Sequence, residues 1–171
     1  MTCYFRHMKP IFEQIGIEIT PENKLMIYSK SDKVVVESYE DRTRDEFEPV
    51  TGMGIINLEI SPDGSKLAFE AFGGDMYVMN SDGTGLTDLD VGYRPKWSPD
   101  GEYLAYMITE DDGHRFTGSD IYTVRIDGSE RNNLTNTNDI IEMNPSWSSD
   151  GNQIAFDTYN DGSIYIVQVE K

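Results

Sequence analysis

Apolar and polar positions alternate along this chain in short runs bounded by Gly, Asp, Asn, Ser and Pro. That pattern predicts many short strands joined by turns. Three stretches superimpose in sequence. Ile60-Ser61-Pro62-Asp63-Gly64-Ser65-Lys66-Leu67-Ala68-Phe69, Trp97-Ser98-Pro99-Asp100-Gly101-Glu102-Tyr103-Leu104-Ala105-Tyr106 and Trp147-Ser148-Ser149-Asp150-Gly151-Asn152-Gln153-Ile154-Ala155-Phe156 each place an Ala-centred apolar strand after an Asp-Gly turn. An aromatic-centred strand follows each time: Asp75-Met76-Tyr77-Val78-Met79, Asp120-Ile121-Tyr122-Thr123-Val124 and Ser163-Ile164-Tyr165-Ile166-Val167. The first two copies then carry a further turn, Asp82-Gly83 and Asp127-Gly128, and a closing Leu86-Thr87 and Leu134-Thr135.

A fainter copy precedes these. Thr20-Pro21-Glu22-Asn23-Lys24-Leu25-Met26-Ile27-Tyr28 holds the turn-and-strand position and Lys33-Val34-Val35-Val36-Glu37-Ser38-Tyr39 the next strand, with Phe47-Glu48-Pro49-Val50-Thr51 in place of the Leu-Thr closer. The copies fall at about 17–51, 55–88, 93–136 and 143–171. A repeat of about 40–45 residues built from four short strands is the signature of a propeller blade. The spacing widens before the last copy because of an insertion from Glu110 to Ser119.

The residue types fit that architecture. A blade cannot bury both faces of its sheet alone, so its middle strands must be apolar on both sides and stack on neighbours. The Ala at the centre of each Leu/Ile-Ala-Phe/Tyr strand lets sheets approach, and the larger flanking residues fill the gap. Asp-Gly is a strong hairpin signal because Gly accepts positive φ and Asp bonds nearby amides. Trp97 and Trp147, each two residues after a proline, read as inter-blade packing residues.

The run Pro-x-Trp-Ser-Pro-Asp-Gly-x-x-Leu-Ala-Phe/Tyr, then Ile-Tyr-x-Val, then Asp-Gly and Leu-Thr, resembles the TolB-type, WD40-like propeller repeat. The resemblance is strong over about residues 55–171 and faint over 17–51; Ile60 stands where the later copies have Trp. It implies an all-β propeller, and counting the copies gives about four blades, a single domain over residues 1–171. The segment His7 to Ile15 is expected to serve as a closing outer strand for the last blade. The alternative is an open arc or half of a larger ring, whose two uncovered blade faces would invite a homodimer. The resemblance also implies a non-catalytic scaffold for protein–protein interaction in the bacterial periplasm or envelope. Related propellers occur in prolyl-oligopeptidase-like hydrolases and oligogalacturonate-lyase-like proteins, which supplies the rival reading.

Charge narrows the partners. With 31 Asp and Glu against 14 Lys and Arg, the formal charge is −17. No basic cluster interrupts it, which disfavours nucleic acid and anionic membrane surfaces. No apolar run approaches the ~20 residues of a membrane helix. Met1 to Gly16 does not read as a secretory signal, so the sequence as it stands reads as cytoplasmic, against the compartment implied by the resemblance. Cys3 is the sole cysteine, so an intrachain disulfide is not available.

Candidate chemistry is sparse. His7 and His114 are far apart and show no metal-ligand spacing. No Gly-x-Ser-x-Gly elbow or phosphate loop is present, and Gly118-Ser119-Asp120 lacks the elbow's spacing. Asp111-Asp112-Gly113 and Asn136-Thr137-Asn138-Asp139 offer oxygen ligands for calcium but do not match an EF-hand loop, and turn chemistry accounts for them. No cofactor and no catalytic residue is expected. The irregular connections (Gly52 to Ile55, Asp88 to Arg94, Glu110 to Ser119, Asn136 to Asn144) are expected on one face. Loops on a rigid scaffold are where such proteins bind. Tyr93, Arg94, His114, Arg115, Phe116 and Met143 are the expected protein-contact residues, being of the types enriched at interfaces.

Overall fold

Every turn-and-strand unit of the sequence becomes one antiparallel sheet whose strands pair in chain order. The computed structural model describes residues 18–20 and 25–169, and among these it contains strands and no helix. The first sheet is β1 (Glu18–Thr20), β2 (Leu25–Lys30), β3 (Lys33–Ser38) and β4 (Arg44–Phe47). The second is β5 (Ile55–Ile60), β6 (Lys66–Ala71), β7 (Asp75–Asn80) and β8 (Thr87–Val91). The third is β9 (Tyr93–Trp97), β10 (Tyr103–Asp111), β11 (Phe116–Arg125) and β12 (Asn132–Asn133). The fourth, with three described strands, is β13 (Glu142–Trp147), β14 (Gln153–Thr158) and β15 (Ile164–Gln168). The closing strand expected at His7 to Ile15 lies outside the described residues.

The turn before each second strand is closed by its serine as much as by Asp-Gly. In the second sheet Ser61 Oγ donates to Asp63 Oδ1 (2.7 Å) and accepts from Lys66 N (2.9 Å). Ser98 repeats this with Asp100 (2.6 Å) and Tyr103 N (3.0 Å), and Ser148 with Asp150 (2.6 Å) and Gln153 N (3.0 Å). The Ser61 hydroxyl first, then the amide and hydroxyl of Ser65, favour the carboxylate and hold Asp63 at about 2. Gly64, Gly101 and Gly151 sit at φ 75, 73 and 70°, a region other residues enter only at a cost.

The sheets pack face to face in chain order, and their faces can be assigned residue by residue. Leu67, Phe69, Tyr77 and Met79 face the first sheet, against Ile27 and Val34. Ala68, Met76 and Val78 face the third, against Trp97, Leu104 and Tyr106. Ala105, Met107 and Ile121 face the fourth, against Ile154 and Phe156. A cross-strand aromatic pair recurs at one register in three sheets: Phe69–Tyr77, Tyr106–Tyr122 and Phe156–Tyr165, with ring centroids 5.6, 5.7 and 5.8 Å apart. The tryptophans do join neighbouring sheets. Trp97 Nε1 donates to Glu59 O (3.3 Å) and Trp147 Nε1 to Lys96 O (3.0 Å), each reaching the innermost strand of the preceding sheet. Arg131 ties the outer edges together by donating to Tyr106 Oη (2.7 Å) and to the Leu89 carbonyl.

Two expectations change in detail. The insertion from Glu110 to Ser119 is largely an extended hairpin, with Ile108 paired to Asp120 and Glu110 to Gly118, so only its tip is irregular. The Leu-Thr pairs are not equivalent: Thr87 pairs with Val78, while at the same position of the third sheet Asn132, not Thr135, pairs with Thr123. Leu134 instead packs between the third and fourth sheets.

Between those sheets Glu142 is buried with its Oε1 accepting from Thr137 Oγ1 (2.7 Å) and its Oε2 without a hydrogen-bond partner among the described residues. Burial raises its pKa. The folded state therefore favours its protonated form, and the penalty for holding it charged is relieved as pH falls. Glu142→Gln is expected to be at least as stable as the parent at neutral pH, with the difference shrinking towards pH 4 in chemical denaturation; a difference independent of pH would contradict this. Ser98→Ala removes a wholly buried hydroxyl from a turn that needs it. A loss of about 1–3 kcal/mol is expected from the same measurement, and a neutral result would show that the Asp-Gly pair alone holds the turn.

Candidate functional site

The second-to-third-strand turns and the inter-sheet connections are woven together by backbone hydrogen bonds, which places them at one end of the stack. Ile55 N donates to Ser31 O (2.7 Å), Phe72 N to Gly54 O (2.7 Å), Gly92 N to Gly74 O (2.9 Å) and Tyr159 N to Ile141 O (2.9 Å). On this face His114, Arg115 and Phe116 come together with Asp111 and Tyr159 around a notch of about 260 Å³. The tip is shaped by Asp112, whose carboxylate accepts from His114 N (2.9 Å) and Arg115 N (3.0 Å). Those two amides, that of Arg115 first, lower its pKa. Phe116 meets Tyr159 edge to face, with centroids 5.4 Å apart, and also packs against the core.

The other expected contact residues lie elsewhere. Tyr93, at the start of β9, packs over Gly74, where a Cβ would come within 2.7 Å of its hydroxyl oxygen. Met143 is 8% exposed and belongs to the core between the third and fourth sheets. Arg94 sits on the innermost strand at φ 55°, and Asn57 (φ 49°) and Asn144 (φ 54°) hold the equivalent positions. Each marks a register shift in its sheet. The three line a cleft of about 330 Å³ with Glu59, Lys96 and Ser146. Arg94 donates to Asn144 Oδ1, and Lys96 pairs with Glu59. The cleft thus places two cations, Arg94 and the Glu59-paired Lys96, side by side in an acidic chain.

Two exposed aromatics on the loop face went unnoticed in the sequence. Phe72 is 74% exposed and Tyr159 55%. The available signal was a large aromatic at a turn tip, in Phe72-Gly73-Gly74 and in Tyr159-Asn160-Asp161-Gly162, where packing does not require one. The carboxylate-rich segments are consumed locally. Asp111 accepts from Gly113 N (2.8 Å), and Thr137 N donates to Asp120 Oδ1 (2.9 Å). Among the described residues no three His, Cys, Asp or Glu side chains gather as a metal site. No described helix is long and apolar enough to cross a membrane.

No protein-family model matches the chain, and no curated protein matches it. Solved structures do. A putative TolB from Agrobacterium tumefaciens aligns over 91% of this chain and 61% of its own, with TM-score 0.67 and 21% identity. An oligogalacturonate lyase in complex with manganese aligns over 91% and 50%, with TM-score 0.71 and 12% identity. The β-propeller domain of Myceliophteria thermophila Cps50 (Swd1) aligns over 89% and 51%, with TM-score 0.69 and 15% identity. This chain therefore spans about three fifths of the first structure and about half of the other two. With sheets stacked in chain order, inner-strand tryptophans bridging them and these structural likenesses, the chain has the β-propeller fold, similar to TolB-like and WD40-like propellers.

Proposed function

We propose that this chain is a non-catalytic propeller scaffold that binds a protein partner across its loop face. The observation that carries the reading is the exposure of Tyr159 beside Arg115, and of Phe72 on another turn of the same irregular loop face. Water-exposed aromatics beside an arginine are the usual composition of an interface hot spot. The opposite face consists of short turns whose aspartates are already occupied by their own Ser, Thr and backbone donors. Support for a protein rather than a polyanion comes from the net charge of −17.

The basic cleft favours a second reading. Arg94 and Lys96 can receive a carboxylate, and one structural neighbour is an oligogalacturonate lyase. On that reading the chain would hold an acidic saccharide or peptide carboxylate at the inner strands.

One binding series separates the two. Partner capture with the full chain is expected to weaken at least tenfold in Phe72→Ala/Arg115→Ala and in Tyr159→Ala, with melting temperatures close to the parent. Arg94→Ala is expected to leave capture unchanged. Loss through Arg94→Ala with intact binding by the loop variants would move the site to the cleft.

A further inference from the structure

The fourth sheet repeats a surface that the second and third sheets bury against their successors. Ala68, Ala105 and Ala155 are equivalent, and their cross-strand partners are Val78, Thr123 and Ile166. One step along, Glu70 pairs with Met76, Met107 with Ile121, and Asp157 with Ile164. Val78, Thr123, Met76 and Ile121 are all buried by the next sheet. Ile166 and Ile164, at the same positions, are 64% and 77% exposed. Two adjacent isoleucines left in water at positions the fold elsewhere buries form an unfilled packing surface.

The polar frame of that surface is also in place. In the second sheet Glu70 accepts from its own Asn57 Nδ2 (2.6 Å) and from the backbone N–H of Arg94, the left-handed residue of the following sheet. In the fourth sheet Asp157 accepts from its own Asn144 Nδ2 (3.0 and 3.1 Å). The carbonyls of Glu59 and Lys96 receive an indole N–H from the following sheet, and Ser146 holds the same register position. The acceptors that serve the existing joints thus recur on a face against which, among the described residues, no sheet packs.

We propose that this face accepts one further blade of the same repeat. Its first strand would carry a tryptophan at the position of Trp97 and Trp147 and a left-handed residue at the position of Arg94. The first sheet of a second copy does not meet that description. Ile19 occupies its tryptophan position. Its face directed away from the second sheet carries Lys33, Glu37, Arg44 and Glu46 in one ion-pair network. Laying those charges over Ile164 and Ile166 would desolvate them without compensation. The inference is independent of what binds the loop face.

The test extends the full chain with its own repeat. Val169 N donates to Asn152 O (2.9 Å) as Ile126 N does to Glu102 O (3.2 Å), so a copy of residues 129–171 placed after Lys171 continues the register. The extended chain is expected to melt higher by about 5 °C or more, and its added segment to resist limited proteolysis. Ile164→Asp with Ile166→Asp is expected to leave the parent's melting temperature nearly unchanged and to abolish the gain in the extended chain. The proposal is overturned if the extended chain melts as the parent does with its added segment readily cleaved. It is equally overturned if light scattering shows the parent to be a homodimer that the double variant splits, which would give the face to a second copy.

Discussion

The structure depends on one constraint: a small sheet that is apolar on both faces must be covered on both faces. Each local feature serves that requirement. The central alanines let neighbouring sheets close in, and the stacked Phe/Tyr and tilted Tyr/Tyr pairs fill the space beside them. The tryptophan N–H groups fix the angle and register of the joint by reaching a backbone carbonyl across it. Arg131 does the same at the outer edge, with its guanidinium also over the Tyr106 ring at 5.4 Å. Buried in this way, the Tyr106 hydroxyl is pushed up to about 12 and remains a neutral acceptor for that arginine. Hydrogen bonds here supply geometry; burial supplies the driving force.

Function follows from which parts of the repeat are free to vary. The Ser-x-Asp-Gly turns are fully engaged in closing themselves, so their face presents little that is uncommitted. At the other end backbone bonds join the connections and carboxylates such as Asp112 shape their tips, which leaves the side chains of Phe72, Arg115 and Tyr159 exposed. Propellers in general place recognition on such loops. The inner-strand cleft is a different kind of surface, generated by three equivalent left-handed residues, and its chemistry is basic because the repeat places Arg94 and Lys96 there.

Much of this was legible in the sequence, and the reason is periodicity. Three in-register copies located the strands, the turns and the bridging role of Trp97 and Trp147. What escaped is what a repeat does not encode. Ser61, Ser98 and Ser148 look like ordinary turn residues, and only their hydrogen bonds reveal that they close the loop. The Leu-Thr pairs matched by letter but not by register, because Leu134-Thr135 lies three residues farther from its Asp-Gly turn than Leu86-Thr87 does, beyond the residue that pairs at the position of Thr87. Met143 has the composition of an interface residue and the environment of a core one. Phe72 and Tyr159 carry no motif; their significance is their exposure.

Amide hydrogen exchange along the whole chain tests the account most directly, since it reads how well each sheet is covered. Protection should be greatest in β6, β7, β10 and β11, whose sheets are packed on both faces, and should fall sharply in β15, whose outward isoleucines face water. Protection of Ile164 to Gln168 equal to that of β7 would mean that the fourth sheet is already covered, and the stack of successively buried faces would not describe this protein.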